Sequence, residues 1–237
     1  MTASSPQQGE PRQLRGTGAW TRIGRIRGVG IYVDPILLVF LGLVVLTDFG
    51  PTGVGGRLAL VGVLLGSVFL HEMGHAWMAR RRGLAVTGVF LHLLPFAYVE
   101  RGRPADEVRV ALAGPGVSLV VAALLFGVLA LTDGLPPFEW AAWAGALLPL
   151  AAGVNLLMGT LNLRPVLPLD GGRALRALLL MHMDAHAARS MTARVGTFFG
   201  VGLGVLALFL WRMPESLYVG LLGAWLCVVA WREAARG

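Results

Sequence analysis

The sequence predicts an all-α polytopic membrane protein with about six transmembrane helices and a short membrane-dipping β-hairpin. Three observations lead to this fold class: 56% of the residues are apolar, only 14% are charged, and the mean hydropathy is +0.70. A typical soluble chain has about 25% charged residues. This chain therefore has too little polar surface to cover a water-soluble globule, and neither a soluble enzyme nor a nucleic-acid-binding domain is expected.

Six segments approach the length of about 20 apolar residues that a helix needs to cross the hydrocarbon core. The predicted spans cover residues 29–47, 58–79, 110–132, 140–163, 195–211 and 216–231. The first span carries Asp34 and Pro35 near its start. The polar composition before it predicts a flexible cytoplasmic N-terminal segment over residues 1–28, followed by a single transmembrane domain over residues 29–237.

The positions of the basic residues predict the orientation in the membrane. All 20 are arginines, and all except Arg57 and Arg212 fall in the segments and loops on one side of the predicted spans. This positive-inside pattern places both termini in the cytoplasm. It also explains the net charge of +7 by topology and attraction to the anionic lipid bilayer, so no nucleic-acid partner is expected. The lysine-free, Ala/Gly/Arg/Val-rich composition suggests a bacterial cell-membrane protein.

Span two contains the sequence H-E-M-G-H at residues 71–75. Residues four apart share a helix face, so His71 and His75 can hold one metal ion from adjacent turns. Glu72 lies beside them, within reach of a water at such an ion, which is the H-E-x-x-H arrangement of zinc hydrolases. The alternative is a pair of structural core histidines. It is disfavoured because ionisable side chains at membrane depth cost about 2.5–3.5 kcal/mol each, which a bound dication would offset.

A zinc site needs a third protein ligand, and Asp170 is the candidate. It lies at the cytoplasmic end of span four, where two prolines and two glycines interrupt the helical pattern. Irregular backbone at membrane depth is tolerated only where protein or a water-filled cavity satisfies it, so Asp170 is expected to face an interior. The alternative is a loop aspartate that caps the helix beginning near Arg173.

These two stretches together resemble a known family. H-E-x-x-H inside one span, followed downstream by N-x-x-P-x-x-P-L-D-G at the end of another, is similar to the site-2 protease family of intramembrane zinc metalloproteases. A third element of that family, A-G-P-x-x-S/N, is matched by residues 113–118. The resemblance covers about residues 25–185. The chain has room for neither a PDZ domain nor a CBS pair, so it resembles the compact group typified by the sporulation pro-sigma-factor protease.

The resemblance implies a site and an activity. It implies one zinc ion per chain, bound by His71, His75 and Asp170, with Glu72 as the catalytic base. It also implies that Asn162 and Pro168 help to position the substrate. The implied activity is hydrolysis of a peptide bond in or near a transmembrane segment of a membrane-bound regulatory protein, so residues 29–237 would form a single metalloprotease domain.

Other expectations come from the residues themselves. Asn155 or Asn162 could stabilise an oxyanion, or bond neighbouring helices. Residues 84–100 are too short to span and rich in β-branched and aromatic types. They are expected to form the hairpin, which would either accept an extended substrate as an added strand or lie as a loop against lipid. Small residues recur every four positions at 196, 200 and 204, a face for internal packing or for a homo-oligomer.

Two functions of other classes stay open at this point. One is a non-catalytic membrane scaffold or chaperone that binds transmembrane helices, which would require an impaired site. The other is a transporter that uses its buried ionisable residues as an ion path. A regulatory membrane partner would be compatible with any of the three.

Overall fold

The computed structural model describes residues 21–26, 29–46, 53–86, 88–91, 102–132, 141–210 and 216–235. Seven helices and three strands lie in these ranges. The strands are β1 (Thr21–Ile26), β2 (Val29–Val33) and β3 (Gly88–Leu91). The helices are α1 (Pro35–Leu46), α2 (Gly53–Arg81), α3 (Pro104–Thr132), α4 (Ala141–Asn162), α5 (Asp170–Leu179), α6 (Ala185–Phe209) and α7 (Ser216–Ala234).

The long helices fit a membrane protein. By length and composition, α2, residues Pro104–Leu131 of α3, and α6 can each cross a bilayer. Helix α1 has 12 apolar residues, which at 1.5 Å per residue extend about 18 Å, less than the hydrocarbon core of about 30 Å. The predicted polytopic helical class is confirmed, whereas the number of six crossings stays a prediction.

The start of the first predicted span is wrong, because residues 29–33 form strand β2 rather than helix. Asp34 separates the two elements. Its backbone N–H donates to the carbonyl of Leu91 at 2.9 Å, and its Oδ1 accepts the N–H of Ile36 at 2.8 Å. Pro35 then begins α1 at the position where a missing N–H costs nothing. The Asp-Pro pair therefore ends the strand and starts the helix.

The N-terminal prediction also needs correction. Residues 21–26, expected within a flexible segment, form β1 and pair antiparallel with β2. The sequence T-R-I-G-R-I lies at the edge of the sheet, and Ile23 within it is 60% exposed. Residues 1–20, 27 and 28 lie outside the described residues.

The small sheet has the order β1-β2-β3, with β3 parallel to β2. The predicted strand within 84–100 therefore exists at residues 88–91, but its described partner is β2, and residues 92–100 lie outside the described ranges. One face of the sheet carries Ile31, Val33, Val89 and Leu91, which pack in one core cluster with residues of α1 and α2. The sheet is thereby attached to the helix that carries the H-E-x-x-H sequence.

The last two helices form a close pair. A Cβ added to Gly200 would meet the Sγ of Cys227 at 2.6 Å and the carbonyl oxygen of Gly223 at 2.8 Å. A Cβ on Gly196 would meet the Cβ of Ala230 at 3.1 Å. Gly196 and Gly200 are therefore used for internal packing against α7, whereas a homo-oligomer stays a prediction.

Candidate metal centre

One face of α2 carries the candidate ligands. Ser67, His71 and His75 are spaced four residues apart and are all buried, with 4%, 2% and 1% of their surface exposed. This regular spacing places them in line along the helix. Glu72 follows His71 and is also buried. The row faces α3, α4 and the start of α5 rather than lipid, as polar groups in a membrane-embedded helix require.

Asp170, separated from His75 by 95 positions in the sequence, completes the cluster. Its Oδ2 lies 3.0 Å from Nε2 of His71 and 3.2 Å from Nε2 of His75. The two Nε2 atoms lie 3.2 Å from each other. Three potential ligand atoms thus converge on one point from two distant stretches of the chain, and all three residues are buried.

The donor set and its spacing fit zinc. Imidazole nitrogens and a carboxylate oxygen are ordinary zinc ligands, at about 2.0–2.2 Å from the ion. Tetrahedral ligands at that radius lie roughly 3.3–3.6 Å from one another, close to the observed separations of 3.0–3.2 Å. Three protein ligands leave the fourth position of a tetrahedron open, as in catalytic zinc sites.

Helix α3 fixes the far side of both imidazoles. Nδ1 of His75 lies 2.7 Å from the backbone carbonyl oxygen of Val110, and Nδ1 of His71 lies 3.0 Å from Oγ of Ser118. Metal-binding histidines regularly donate their second ring N–H to such acceptors, which sets the tautomer and the ring orientation. Both rings therefore have a polar partner at Nδ1, while Nε2 of each ring lies close to Asp170.

Glycines allow α3 to approach this closely. A Cβ on Gly114 would overlap Nε2 of His75, and a Cβ on Gly74 would meet the carbonyl oxygen of Ala113 at 2.8 Å. Gly74 and Gly114 thus bring the backbones of α2 and α3 together beside the cluster. This contact gives a physical reason for the glycine in the A-G-P sequence.

The segment 163–169 delivers Asp170 to the cluster. It makes a compact turn in which the N–H of Val166 donates to the carbonyl of Arg164 at 2.8 Å. A Cβ on Gly171 would overlap the carbonyl oxygens of Leu163 and Arg164. Only glycine fits there. Asp170 is the first residue of α5, and the capping position belongs to Leu169, so the carboxylate is directed at the histidines instead of capping the helix.

A neighbouring arginine holds the other carboxylate oxygen. Nη1 of Arg173 lies 3.2 Å from Oδ1 of Asp170. Burial alone would raise the pKa of the Asp170 carboxyl, but His75, the bond from His71 and the Arg173 guanidinium outweigh it and hold this pKa below its ordinary range. The carboxylate thus has Oδ1 paired to arginine and Oδ2 facing the imidazoles.

Of the three predicted substrate-binding residues, Asn155 and Asn162 lie on α4, and Pro168 lies between α4 and α5. Both N–H groups of the Asn155 amide are engaged, with Oγ of Ser67 and the carbonyl of Ala151, each at 2.9 Å. The expected bond between helices is thus present at this amide, whereas the oxyanion contact stays a prediction. Among the described residues, the buried oxygens Oδ1 of Asn155 and Asn162 have no hydrogen-bond partner. Pro168 is buried in the turn that precedes Asp170.

The sequence analysis did not predict three groups of the site, namely the Ser67 hydroxyl, the Arg173 guanidinium and the Val110 carbonyl. Ser67 lies four residues before His71 and Arg173 three residues after Asp170, so helical spacing was an available signal for both. The carbonyl of Val110 had no signal, because every residue carries one. Ser118 was noticed only as part of a sequence element, without a role.

Comparisons with known proteins agree with this geometry. The sequence pattern of Peptidase family M50 matches residues 59–142. The chain is 38% identical over 224 residues to the putative zinc metalloprotease Rip3 of Mycobacterium tuberculosis, covering 88% of this chain and 55% of that protein. It is 30% identical over 197 residues to stage IV sporulation protein FB of Bacillus subtilis, covering 80% of this chain and 61% of that protein. The chain thus spans about half the length of the curated relatives it matches first.

A solved structure shows the same architecture. The fold superimposes on the site-2 protease from Methanocaldococcus jannaschii with a TM-score of 0.64 and 25% sequence identity. The match covers 91% of this chain and 95% of that structure. The likeness therefore extends over the sheet and the helices together, beyond the region that carries the sequence motifs.

Proposed function

We infer that this chain is a member of the site-2 protease family (peptidase family M50), to whose pattern and members it is similar, and that it is an intramembrane zinc metalloendopeptidase. It would hydrolyse a peptide bond in or near a transmembrane segment of a membrane-bound regulatory protein. One observation carries this inference: His71, His75 and Asp170 converge, buried, with ligand atoms spaced for a single ion. We assign these three residues as the zinc ligands and Glu72 as the catalytic base.

Zinc bound there would act as a Lewis acid on water and on the scissile carbonyl. The protein would supply the remaining functions. Glu72 would accept a proton from the attacking water and deliver it to the leaving amine. Glu72 directly follows His71 and is buried, with 6% of its surface exposed, which supports this role.

We propose that Asn155, Asn162 and Pro168 contact the substrate. The unpaired oxygens of the two asparagines are buried acceptors, and leaving a buried acceptor unpaired costs about 1–3 kcal/mol. The backbone N–H groups of an unwound substrate segment would satisfy them. A substrate helix must be unwound for this contact, because its own N–H groups are otherwise bonded within the helix.

We propose a multi-pass protein of the bacterial cell membrane with cytoplasmic N- and C-termini. Residues 29–237 would form a single catalytic domain, to which β1 adds residues 21–26. The successive contacts of the sheet with α2, of α2 with α3 and α4, and of α3 with α5 support one continuous unit. Its partners would be the membrane-protein substrate, the lipid bilayer and a regulatory membrane protein.

The test is to replace the base and keep the metal. Glu72→Gln preserves the size and hydrogen bonding of the side chain but cannot take up the proton. The purified variant should hold about one zinc per chain, as the unchanged protein does, and should lose cleavage. Glu107→Gln, an identical change in the first turn of α3, is the matched control and should retain both properties.

The substrate can be found with the same variant. Tagged Glu72→Gln protein purified from its native membrane should retain proteins that the unchanged enzyme releases in shortened form, as identified by mass spectrometry. Cleavage by Glu72→Gln at the unchanged rate would show that the base is misassigned. Retention of the same proteins, uncut, by the zinc-loaded unchanged chain would instead indicate a scaffold that binds transmembrane helices.

A further inference from the structure

The two imidazoles of the cluster have different kinds of hydrogen-bond partner at Nδ1. Nδ1 of His75 faces the carbonyl oxygen of Val110, and Nδ1 of His71 faces the hydroxyl of Ser118. Ser118 has no exposed surface and lies on α3 one turn after Gly114, whose backbone contacts His75. A single helix face therefore supports both rings, by a backbone atom in one case and by a replaceable side chain in the other.

The tautomer of each ring decides whether it can bind a metal. A neutral imidazole carries one N–H, and its other nitrogen has the free lone pair. Since Nε2 of His71 faces Oδ2 of Asp170 and Nε2 of His75, metal binding requires the proton on Nδ1. A carbonyl oxygen can only accept, so Val110 fixes this tautomer for His75. At His71, the equivalent acceptor is Oγ of Ser118.

We propose that Ser118 is a positioning residue, whose Oγ accepts a hydrogen bond from Nδ1–H of His71 and so directs the Nε2 lone pair of that ring at the metal. This inference rests on the proposed function, because it concerns the same zinc site. Ser118 touches no reacting atom. Its effect passes through the orientation and tautomer of His71, and should therefore be visible in metal binding itself, before any substrate is added.

The experiment measures zinc affinity and the cobalt spectrum. Ser118→Ala removes the hydroxyl without adding volume. Its zinc affinity, measured by competition with a chromophoric chelator, should fall roughly 10–100-fold, the range found for lost partners of metal-binding histidines. The visible absorption bands of the cobalt(II)-substituted protein should also change, because they report the geometry of the ligands. The Thr192→Val variant is the matched control. It removes another buried hydroxyl at nearly constant volume, one bonded to the carbonyl of Ala188 within α6 rather than to an imidazole, and should leave zinc affinity and the cobalt spectrum unchanged.

A second pair of variants separates hydroxyl chemistry from packing. Ser118→Thr and Ser118→Val add nearly the same volume, and only threonine keeps the hydroxyl. The Ser118→Thr protein should bind zinc roughly 10–100-fold more tightly than the Ser118→Val protein if the hydrogen bond to His71 matters. This comparison stays informative even if the alanine variant folds poorly, because both replacements impose the same crowding.

The outcomes distinguish this inference from the proposed function. Equal zinc affinity of Ser118→Ala and the unchanged protein, with identical cobalt spectra, would overturn the role of Ser118 and leave the zinc site intact. Equal affinity of the threonine and valine variants would do the same. If the unchanged protein bound no zinc, the proposed function itself would fail.

Discussion

The close approach of α3 to the metal ligands makes Gly114→Ala a sharp perturbation. A Cβ at this position would overlap Nε2 of His75 and lie 2.7 Å from Cδ2 of the same ring, whereas ordinary contact begins near 3.4 Å. The ring would have to move by roughly 0.7 Å or more, beyond the tolerance of about 0.5 Å within which a catalytic constellation must be held. We expect zinc affinity to fall by about 10–100-fold and cleavage by about 100-fold.

The assay pairs zinc titration with a matched glycine. Gly116→Ala makes the same change two residues further along α3, where an added Cβ would meet nothing within 4 Å. That variant should bind zinc normally and gain up to about 1 kcal/mol in stability, because alanine is the better helix former. Gly114→Ala should also lose roughly 1–3 kcal/mol of unfolding free energy from crowding. Normal zinc affinity in a folded Gly114→Ala protein would refute the idea that this contact positions His75.

Two further predictions concern the helices that surround the site. Asp184 caps α6 by accepting the N–H groups of Ala187 and His186, and these bonds lower the pKa of its carboxyl from 3.8. Asp184→Ala should therefore lower Tm above pH 3.8, with a difference from the unchanged protein that shrinks as the pH falls through the lower folded-state pKa. Asp184→Asn removes the same titrating group but keeps an amide oxygen that can accept these bonds, so its Tm at neutral pH should fall less than that of the alanine variant; a pH-independent loss in the alanine variant would contradict this. Arg176 of α5 pairs with the buried Glu233 of α7 at 2.8 Å, so a double-mutant cycle of Arg176→Met and Glu233→Gln should give a coupling of roughly 0.5–3 kcal/mol. Additive effects on the unfolding free energy would show that the pair does not link the two helices.

The membrane class and the core of the site follow from local patterns. The spacing of His71 and His75 on a helix needs no tertiary information, because residues four apart share a face in any α-helix. The interruption of the helical pattern around Asp170 could likewise be read from prolines and glycines. These expectations held because they depend on backbone geometry that neighbouring elements do not change.

The start of the first span shows where local reading fails. Residues 29–33 are mostly apolar and are separated from α1 by Asp34 alone, so their composition suits a membrane helix as well as a strand. Pairing with β1 and β3 makes this segment a strand. A partner strand that is distant in the sequence, such as β3, cannot be recognised from the residues of the segment itself. The parallel alignment with residues 88–91 could not be read from a hairpin pattern for the same reason.

The sequence by itself therefore determined an apolar helical chain with the histidine pair His71 and His75, the adjacent carboxylate of Glu72 and a third candidate ligand, Asp170, far downstream. Only the tertiary structure decided that Asp170 meets the two imidazoles, and that α3 supports them through Gly114, Ser118 and a backbone carbonyl. The physical reason is that helical periodicity relates residues a few positions apart. Contacts between helices depend on which side chains are small enough to let the backbones approach, and that is a property of both partners together.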